Sequence, residues 1–284
     1  AQRGGVQPGG HQAAPERWQI PVALGRPGDA AARKILLGDA PQTVTFAGCG
    51  LPVKANYGDI GYYRTAYDAA DRNALVAAYA QLAPADRVNF IADLYALVEA
   101  GRADAGAYLD LSRKLASETE LVVWTEASTA FREMDDLERG SPDRAAFRAY
   151  ARAMFRPAFD RVGWDAKPGE SIETPMLRAL LIRALGRYDD PDILAGARRR
   201  FAAFLADPGT LPPALQDAVM TVVGHAADRR TFDALRKLGR AATSTEEKLR
   251  FYYALGEASY PALVDQAVKI ALTGEVPNGR VNFF

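Results

Sequence analysis

Thiols and imidazoles are nearly absent from this sequence. Its 284 residues include one cysteine, Cys49, and two histidines, His11 and His225. A single cysteine forms no intrachain disulfide, so no loop is stapled from that source. Cys49 lies between Gly48 and Gly50. It reads as a small apolar residue on a strand or hairpin, with no base nearby to activate it. A zinc site needs three or four ligands from His, Cys, Asp or Glu at suitable spacing. Neither histidine here belongs to an H-E-x-x-H. A Ser-His-Asp triad would have to use one of the same two histidines, and no serine stands in a G-x-S-x-G elbow. The "GCG" at 48–50 runs on into "LPV", so it is no phosphate-binding loop or dinucleotide fingerprint. The expectation is no catalytic residue, no metal ligand and no cofactor within this chain.

An excess of charge is also missing. Lysine and arginine number 35, aspartate and glutamate 35. A neutral chain leaves no electrostatic footprint for nucleic acid or an anionic membrane, and neither is expected as a partner. The cluster Arg198, Arg199 and Arg200 reads as a solvated helix face. So do Glu133, Asp135, Asp136 and Glu138 of "REMDDLERG", which are expected on an exposed side with Arg132 and Arg139 between them. No apolar run approaches the roughly 20 residues that span a bilayer. The start shows no leader pattern and no initiating Met, so the chain is expected to be cut from a longer protein. Cytoplasm and periplasm stay equally open, and richness in alanine and arginine is taken as a bacterial composition.

With 49% hydrophobic and 25% charged residues, the composition is that of an ordinary globular chain. Residues 1–15 read as a loop or disordered tail. In "RWQIPVAL" (17–24), Trp18, Ile20, Val22 and Leu24 alternate on one side, as in a strand. "RKILLGD", "QTVTFAG" and "LPVKANYG" follow as further extended pieces. Residues 16–68 are thus expected to form a small antiparallel β-sandwich of four or five strands. Such a short domain must lean on something else. From Asp71 the period becomes 3.6, with Leu75, Ala78, Tyr79 and Leu82 as the first stripe. Pro84, Pro142, Pro191 and Pro261 are placed just inside helix starts, with Ser141 and Asp190 as N-caps. Ser244 and Glu247 have capping-box spacing. Glycines 101, 140, 163, 186, 224, 239, 256 and 274 are taken as helix ends. The reading is about eleven helices joined by short loops over 69–284. It describes a mostly α chain, a right-handed α-solenoid of HEAT or armadillo character, truncated after Phe283 and Phe284.

One stretch stands apart. "VKANYGDIGYYRTAYD" (53–68) has four tyrosines at a corner between sheet and helices. It resembles the junction of zinc aminopeptidases of the aminopeptidase N and puromycin-sensitive aminopeptidase family. Asn56, Gly61, Tyr62, Tyr63, Arg64, Tyr67 and Asp68 match that pattern, with Thr65 where Val is usual. "RWQIPVAL" is similar to the family's Trp-x-Ile-Pro strand. "DRVNFIADLYALVEAG" keeps Arg87, Asp93 and Gly101 in register, and "TELVVWTEA" has an acidic residue before Trp124. "MLRALLIRALGRYDDPDILAGARRRF" resembles a later segment. The likeness runs over residues 17 to about 273.

The resemblance implies a four-part enzyme that removes N-terminal residues from peptides. This chain would supply its last two parts, a small β-sandwich and a helical domain that caps the active-site chamber and shapes access. Zinc, the general base and the specificity pocket would belong to the missing N-terminal and catalytic domains, which become the expected partners along with a peptide substrate. The tyrosines would bury ring area while keeping a hydroxyl for a partner. Arg64 would be a structural ion-pair or carbonyl-binding residue. Arg280 and Asn282, where the family places an Arg near an Asp, are the candidate substrate-binding residues. The alternative is a standalone helical-repeat scaffold that binds a protein or peptide along one face.

Overall fold

The structure, a computed structural model, describes residues 17–277 and 279–281. His11, the 1–15 tail, Asn282, Phe283 and Phe284 lie outside the described residues. The chain divides into two compact units, one running to Lys114 and one from Leu115.

In the first unit, β1 (Ile20–Gly25) is the centre of a three-stranded antiparallel sheet. It pairs along its length with β2 (Arg33–Leu37), Val22 opposite Ile35. It pairs only briefly with β3 (Lys54–Ala55), at Leu24–Ala55 and Gly25–Lys54. The expected strand over 42–48 does not form. Its carbonyls go to arginines rather than to a neighbouring strand: Arg33 donates to Thr45 O at 2.9 Å and Arg26 to Gly48 O at 2.8 Å. Among the described residues the sheet is therefore one layer of three strands rather than a sandwich of four or five. Trp18 is 57% exposed, and β1 is buried at Val22 and Ala23, which as neighbours point to opposite faces of the sheet. Three helices follow: α1 (Ala69–Ala77), α2 (Pro84–Glu99) and α3 (Ala105–Ser112).

The second unit contains α4 (Leu121–Leu137), α5 (Arg144–Val162), α6 (Thr174–Arg187), α7 (Pro191–Ala206), α8 (Pro213–His225), α9 (Arg229–Ala241), α10 (Thr245–Gly256) and α11 (Pro261–Ala271). Helix α6 lies between α4 and α8, and α8 lies between α6 and α10. Helices α5, α7 and α9 each pack on the helix that follows. Aromatic rings fill the first layers, with Trp124 of α4 5.2 Å from Phe155 of α5 and Phe131 edge-on to Phe155. The chain is thus mostly helical, with a small antiparallel sheet before the helices. Among the described residues no helix is long and apolar enough to cross a membrane.

Most helix starts obey the expected chemistry. The Asp190 carboxylate accepts from the amides of Asp192 and Ile193, and Ser244 Oγ accepts from Glu247 N at 3.2 Å. One start moves. Ser141 Oγ accepts the Asp143 amide in a turn of its own, so Pro142 precedes the helix and α5 begins at Arg144. The carboxylates of α4 do not all face water either. Asp135 is fully buried and takes paired hydrogen bonds from Arg144 and Arg148. Burial alone would raise its pKa; the two guanidinium groups hold it well below the usual carboxylate range instead.

Gly101, Gly140, Gly163 and Gly274 have positive φ and do end helices. Gly186, Gly224 and Gly239 lie within helices and serve close approach instead. A Cβ on Gly186 would lie 2.3 Å from the Val222 side chain. On Gly224 it would lie 1.8 Å from the Ala254 carbonyl oxygen, which is backbone and cannot rotate away. Gly224→Ala should therefore push α8 from α10 and destabilise the chain by more than about 2 kcal/mol. Gly38→Ala, with nothing within 4 Å of its Cβ, should change stability little. Urea unfolding of the two variants measures the contrast.

Candidate functional site

The corner at 53–68 is built by short β3 leaving β1 only half paired. Beyond Leu24, β1 still presents the Ala23 N–H and C=O, which need partners when buried. Both are met by the corner: the Tyr57 amide donates to Ala23 O at 3.1 Å, and Tyr63 OH accepts from Ala23 N at 3.3 Å. Tyr67 OH does the same for Ala55 of β3, accepting from its amide at 2.9 Å and donating to its carbonyl at 3.3 Å. Tyr57 OH donates to Asp29 O at 2.5 Å. Three tyrosines thus replace a missing strand and bury ring area at the same time. The Tyr67 ring meets Phe90 of α2 edge-on, with centroids 5.8 Å apart. Burial pushes the Tyr67 hydroxyl pKa up to about 12.

The turn itself is closed by Asn56. Its φ is +53°, a left-handed conformation that asparagine tolerates better than most residues, and it is fully buried. Its amide oxygen accepts from Gly61 N at 2.8 Å, while its amide nitrogen donates to Gly61 O at 3.0 Å and Asp59 Oδ1 at 3.1 Å. A Cβ on Gly61 would fall 2.1 Å from the Tyr63 ring. That contact explains the glycine.

Helix α2 supplies the other half of the site through Asp86, Asn89 and Asp93, spaced to fall on one face and all buried. Asp86 accepts the Gly58 amide at 2.7 Å. Asp93 accepts the Thr65 amide at 2.9 Å and its hydroxyl at 2.5 Å. The other oxygen of Asp93 takes Arg64 Nη1 at 3.1 Å. Lys54 of β3 is fully buried, donates to Ala55 O and to Asn89 Oδ1, and lies 4.0 Å from Asp86. Burial lowers its pKa to about 8 against the pull of Asp86, and burial raises that of Asp86.

Asn56, Gly61, Tyr63, Arg64 and Tyr67 therefore come together at this corner. Tyr62 does not: its side chain is wholly exposed. Asp68 caps α1 by accepting the Asp71 amide. Arg64 pairs with Asp93 while its side chain stays 60% exposed. Arg280 is exposed in the second unit, its amide bonded to Pro277 O. The sequence reading passed over Lys54, Asp86 and Asn89 as site residues. Their signal was present, because three polar residues at 86, 89 and 93 share the face of α2 that also carries Phe90. The zinc implied by the resemblance does not fit this cluster. Asp86 Oδ1 and Asp93 Oδ2 are taken by backbone amides, with a buried ammonium beside Asp86. Among the described residues Asp86 Oδ2 is buried with no hydrogen-bond partner, and no three His, Cys, Asp or Glu groups come together to hold a metal.

A mostly helical chain whose first unit joins a small sheet to α2 through a tyrosine-rich corner is the class this geometry defines. The family model described as the ERAP1-like C-terminal domain matches residues 52–284. The chain belongs to this family of aminopeptidase C-terminal domains. Similar curated proteins include Aminopeptidase 2 of Candida albicans, 26% identical over 78% of this chain. Aminopeptidase M1 of Arabidopsis thaliana is 27% identical over 80%, and the Puromycin-sensitive aminopeptidase of Caenorhabditis elegans 27% over 93%. The chain covers 25%, 27% and 29% of these relatives, so it spans between a quarter and a third of their length.

The buried lysine makes a pH prediction. Its folded pKa lies below the unfolded value of 10.5, so between about 8 and 10.5 the unfolded chain binds more protons than the folded one. Stability contributed through Lys54 rises with pH across that window. The difference in unfolding free energy between wild type and Lys54→Met should grow by on the order of 3 kcal/mol from pH 8 to pH 10.5. A difference that stays flat in urea titrations across this range would rule out a desolvated lysine.

Proposed function

We propose that this chain is the non-catalytic C-terminal part of a zinc aminopeptidase, a hydrolase that removes N-terminal residues from peptides. The observation that carries the proposal is the family match over 52–284, combined with relatives named as aminopeptidases that are three to four times as long. The zinc and the proton acceptor belong, in this reading, to polypeptide outside this chain. What this chain contributes is a helical cap over the active-site chamber that limits which peptides enter. The ordering of α4, α6, α8 and α10 as successive neighbours supports a solenoid of HEAT-like character for that cap. The corner at 53–68 would be the junction with the other domains. Exposed Tyr62 and Ile60 are its free apolar groups, and the missing domains are the partners that would cover them.

The corner fits a structural role better than a chemical one. Most of its buried donors and acceptors are committed to backbone, which rigidifies a connection and leaves little to act on a carbonyl. Arg280 and Asn282 would face the carboxyl end of a bound peptide. A standalone scaffold is disfavoured by the family match.

Two assays test this reading. The purified chain with added zinc should give no turnover of an alanine anilide, and turnover like that of a whole enzyme would refute it. In the full-length protein, Arg280→Glu should raise KM for peptides with a free carboxylate about tenfold, corresponding to about 1.4 kcal/mol. The same change should leave the anilide unaffected. Equal effects on both substrates would remove Arg280 from peptide recognition.

A further inference from the structure

Arginines in the second unit are mostly matched to carboxylates. Arg144 and Arg148 hold Asp135, Arg156 holds Asp190 and Asp192, Arg187 holds Asp136, and Arg236 and Arg240 share Glu275. Among the described residues several arginines have no ion pair, Arg199 and Arg280 among them, and two of these, Arg198 of α7 and Arg230 of α9, face each other across one groove. Both are exposed, and among the described residues neither has a carboxylate within 4 Å. They border the same groove, a cavity of about 300 Å³ between α7 and α9.

The walls of the groove follow helical spacing. Arg198, Phe201, Ala202 and Leu205 form one stripe of α7, and Arg230, Thr231 and Ala234 form one of α9. Leu205 is 49% exposed, and the floor is closed by the buried rings and methyls of Phe201 and Val223. Lys237, one turn beyond Ala234, is exposed on the same stripe of α9. Asp228 also borders the groove: its carboxylate caps α9 through the Thr231 amide at 2.8 Å, and it lies in the field of both Arg230 and Arg198, offsetting part of their charge. The result is an apolar trough rimmed by Arg198, Arg230 and Lys237 against the single carboxylate of Asp228, a net positive border with, among the described residues, no ion pair within 4 Å at either arginine.

We propose that this trough is a docking site for an acidic amphipathic segment of another protein. An apolar stripe on such a segment covers Leu205, Ala202 and Ala234, and carboxylates on its flanks meet Arg198, Arg230 and Lys237. Charge complementarity selects this occupant. A basic segment would set cation against cation. A nucleic acid has no apolar ridge for the floor, and a planar bilayer does not enter a trough between two helices. The inference is independent of the role assigned to the sheet corner.

The test uses the whole chain and two fluorescein-labelled peptides about four helical turns long, with Leu on one face and flanks of Glu in one and Lys in the other. Fluorescence anisotropy should show saturable binding of the Glu peptide at a Kd on the order of 10–100 μM, weakening with salt. Binding of the Lys peptide should be at least about tenfold weaker. Arg198→Glu with Arg230→Glu should weaken the Glu peptide at least about tenfold, and Leu205→Lys about as much. Arg199→Glu, off the stripe, should leave it unchanged. Circular dichroism establishes that each variant is folded. The proposal is overturned by no saturable binding of the Glu peptide, by equal binding of the Lys peptide, or by indifference to the Arg198 and Arg230 changes. Two alternative occupants would also overturn it. One is tighter binding to phosphatidylserine vesicles than to the Glu peptide; the other is self-association in sedimentation that the double reversal abolishes.

Discussion

The first unit depends on carboxylates buried on α2 that accept backbone amides from a loop. Asp86 takes Gly58 and Asp93 takes Thr65, while Asn56 inside the loop takes Gly61. A buried carboxylate without donors would cost several kcal/mol, so this helix face is compatible with folding only when the loop is docked on it. The same dependence runs the other way. The loop carries a left-handed Asn56 and a tightly packed Gly61, and the acceptors on α2 add to the bonds that Asn56 makes within the loop. Sheet and helix are therefore joined by mutual satisfaction of polar groups, with the Tyr67–Phe90 contact adding apolar burial.

The second unit applies a related principle at helix ends and crossings. Buried Asp135 is shared by α5 arginines, and Glu275 is shared by Arg236, Arg240 and the Tyr252 hydroxyl. Bonds from Arg236 and Arg240 hold the Glu275 carboxyl well below its usual range. Such shared pairs fix the register of successive helices, while small contacts at Gly186 and Gly224 set how closely they approach.

Much of this was legible in the sequence. The apolar period and the proline and aspartate at 190–191 mark α7 over the same residues that the structure shows, because propensity, capping and packing agree there. The strand at 42–48 was misread because alternation reports which side faces inward and not whether a neighbouring backbone is available. Glycines 186, 224 and 239 looked like helix ends because a glycine serves both a left-handed turn and a close helix crossing. At the candidate site, the tyrosines, Arg64 and Asp93 were found through a resemblance, yet the pairing of Arg64 with Asp93 and the roles of Asp86 and Asn89 were not. Pairing of residues about 30 positions apart is set by the tertiary arrangement, and no local pattern encodes which acceptor receives which amide. Tyr62 shows the same limit from the other side, since it shares the motif with Tyr63 but points to solvent.

If this mutual satisfaction holds the first unit together, the loop amides must be as protected as the helix that receives them. Native-state hydrogen exchange of Gly58, Gly61 and Thr65, which lie outside any helix or strand, reads this directly. The account predicts that these three amides exchange together with the central amides of α2, at the free energy of opening the whole unit. Exchange of the three at the rate of an unprotected loop, while α2 remains protected, would contradict it.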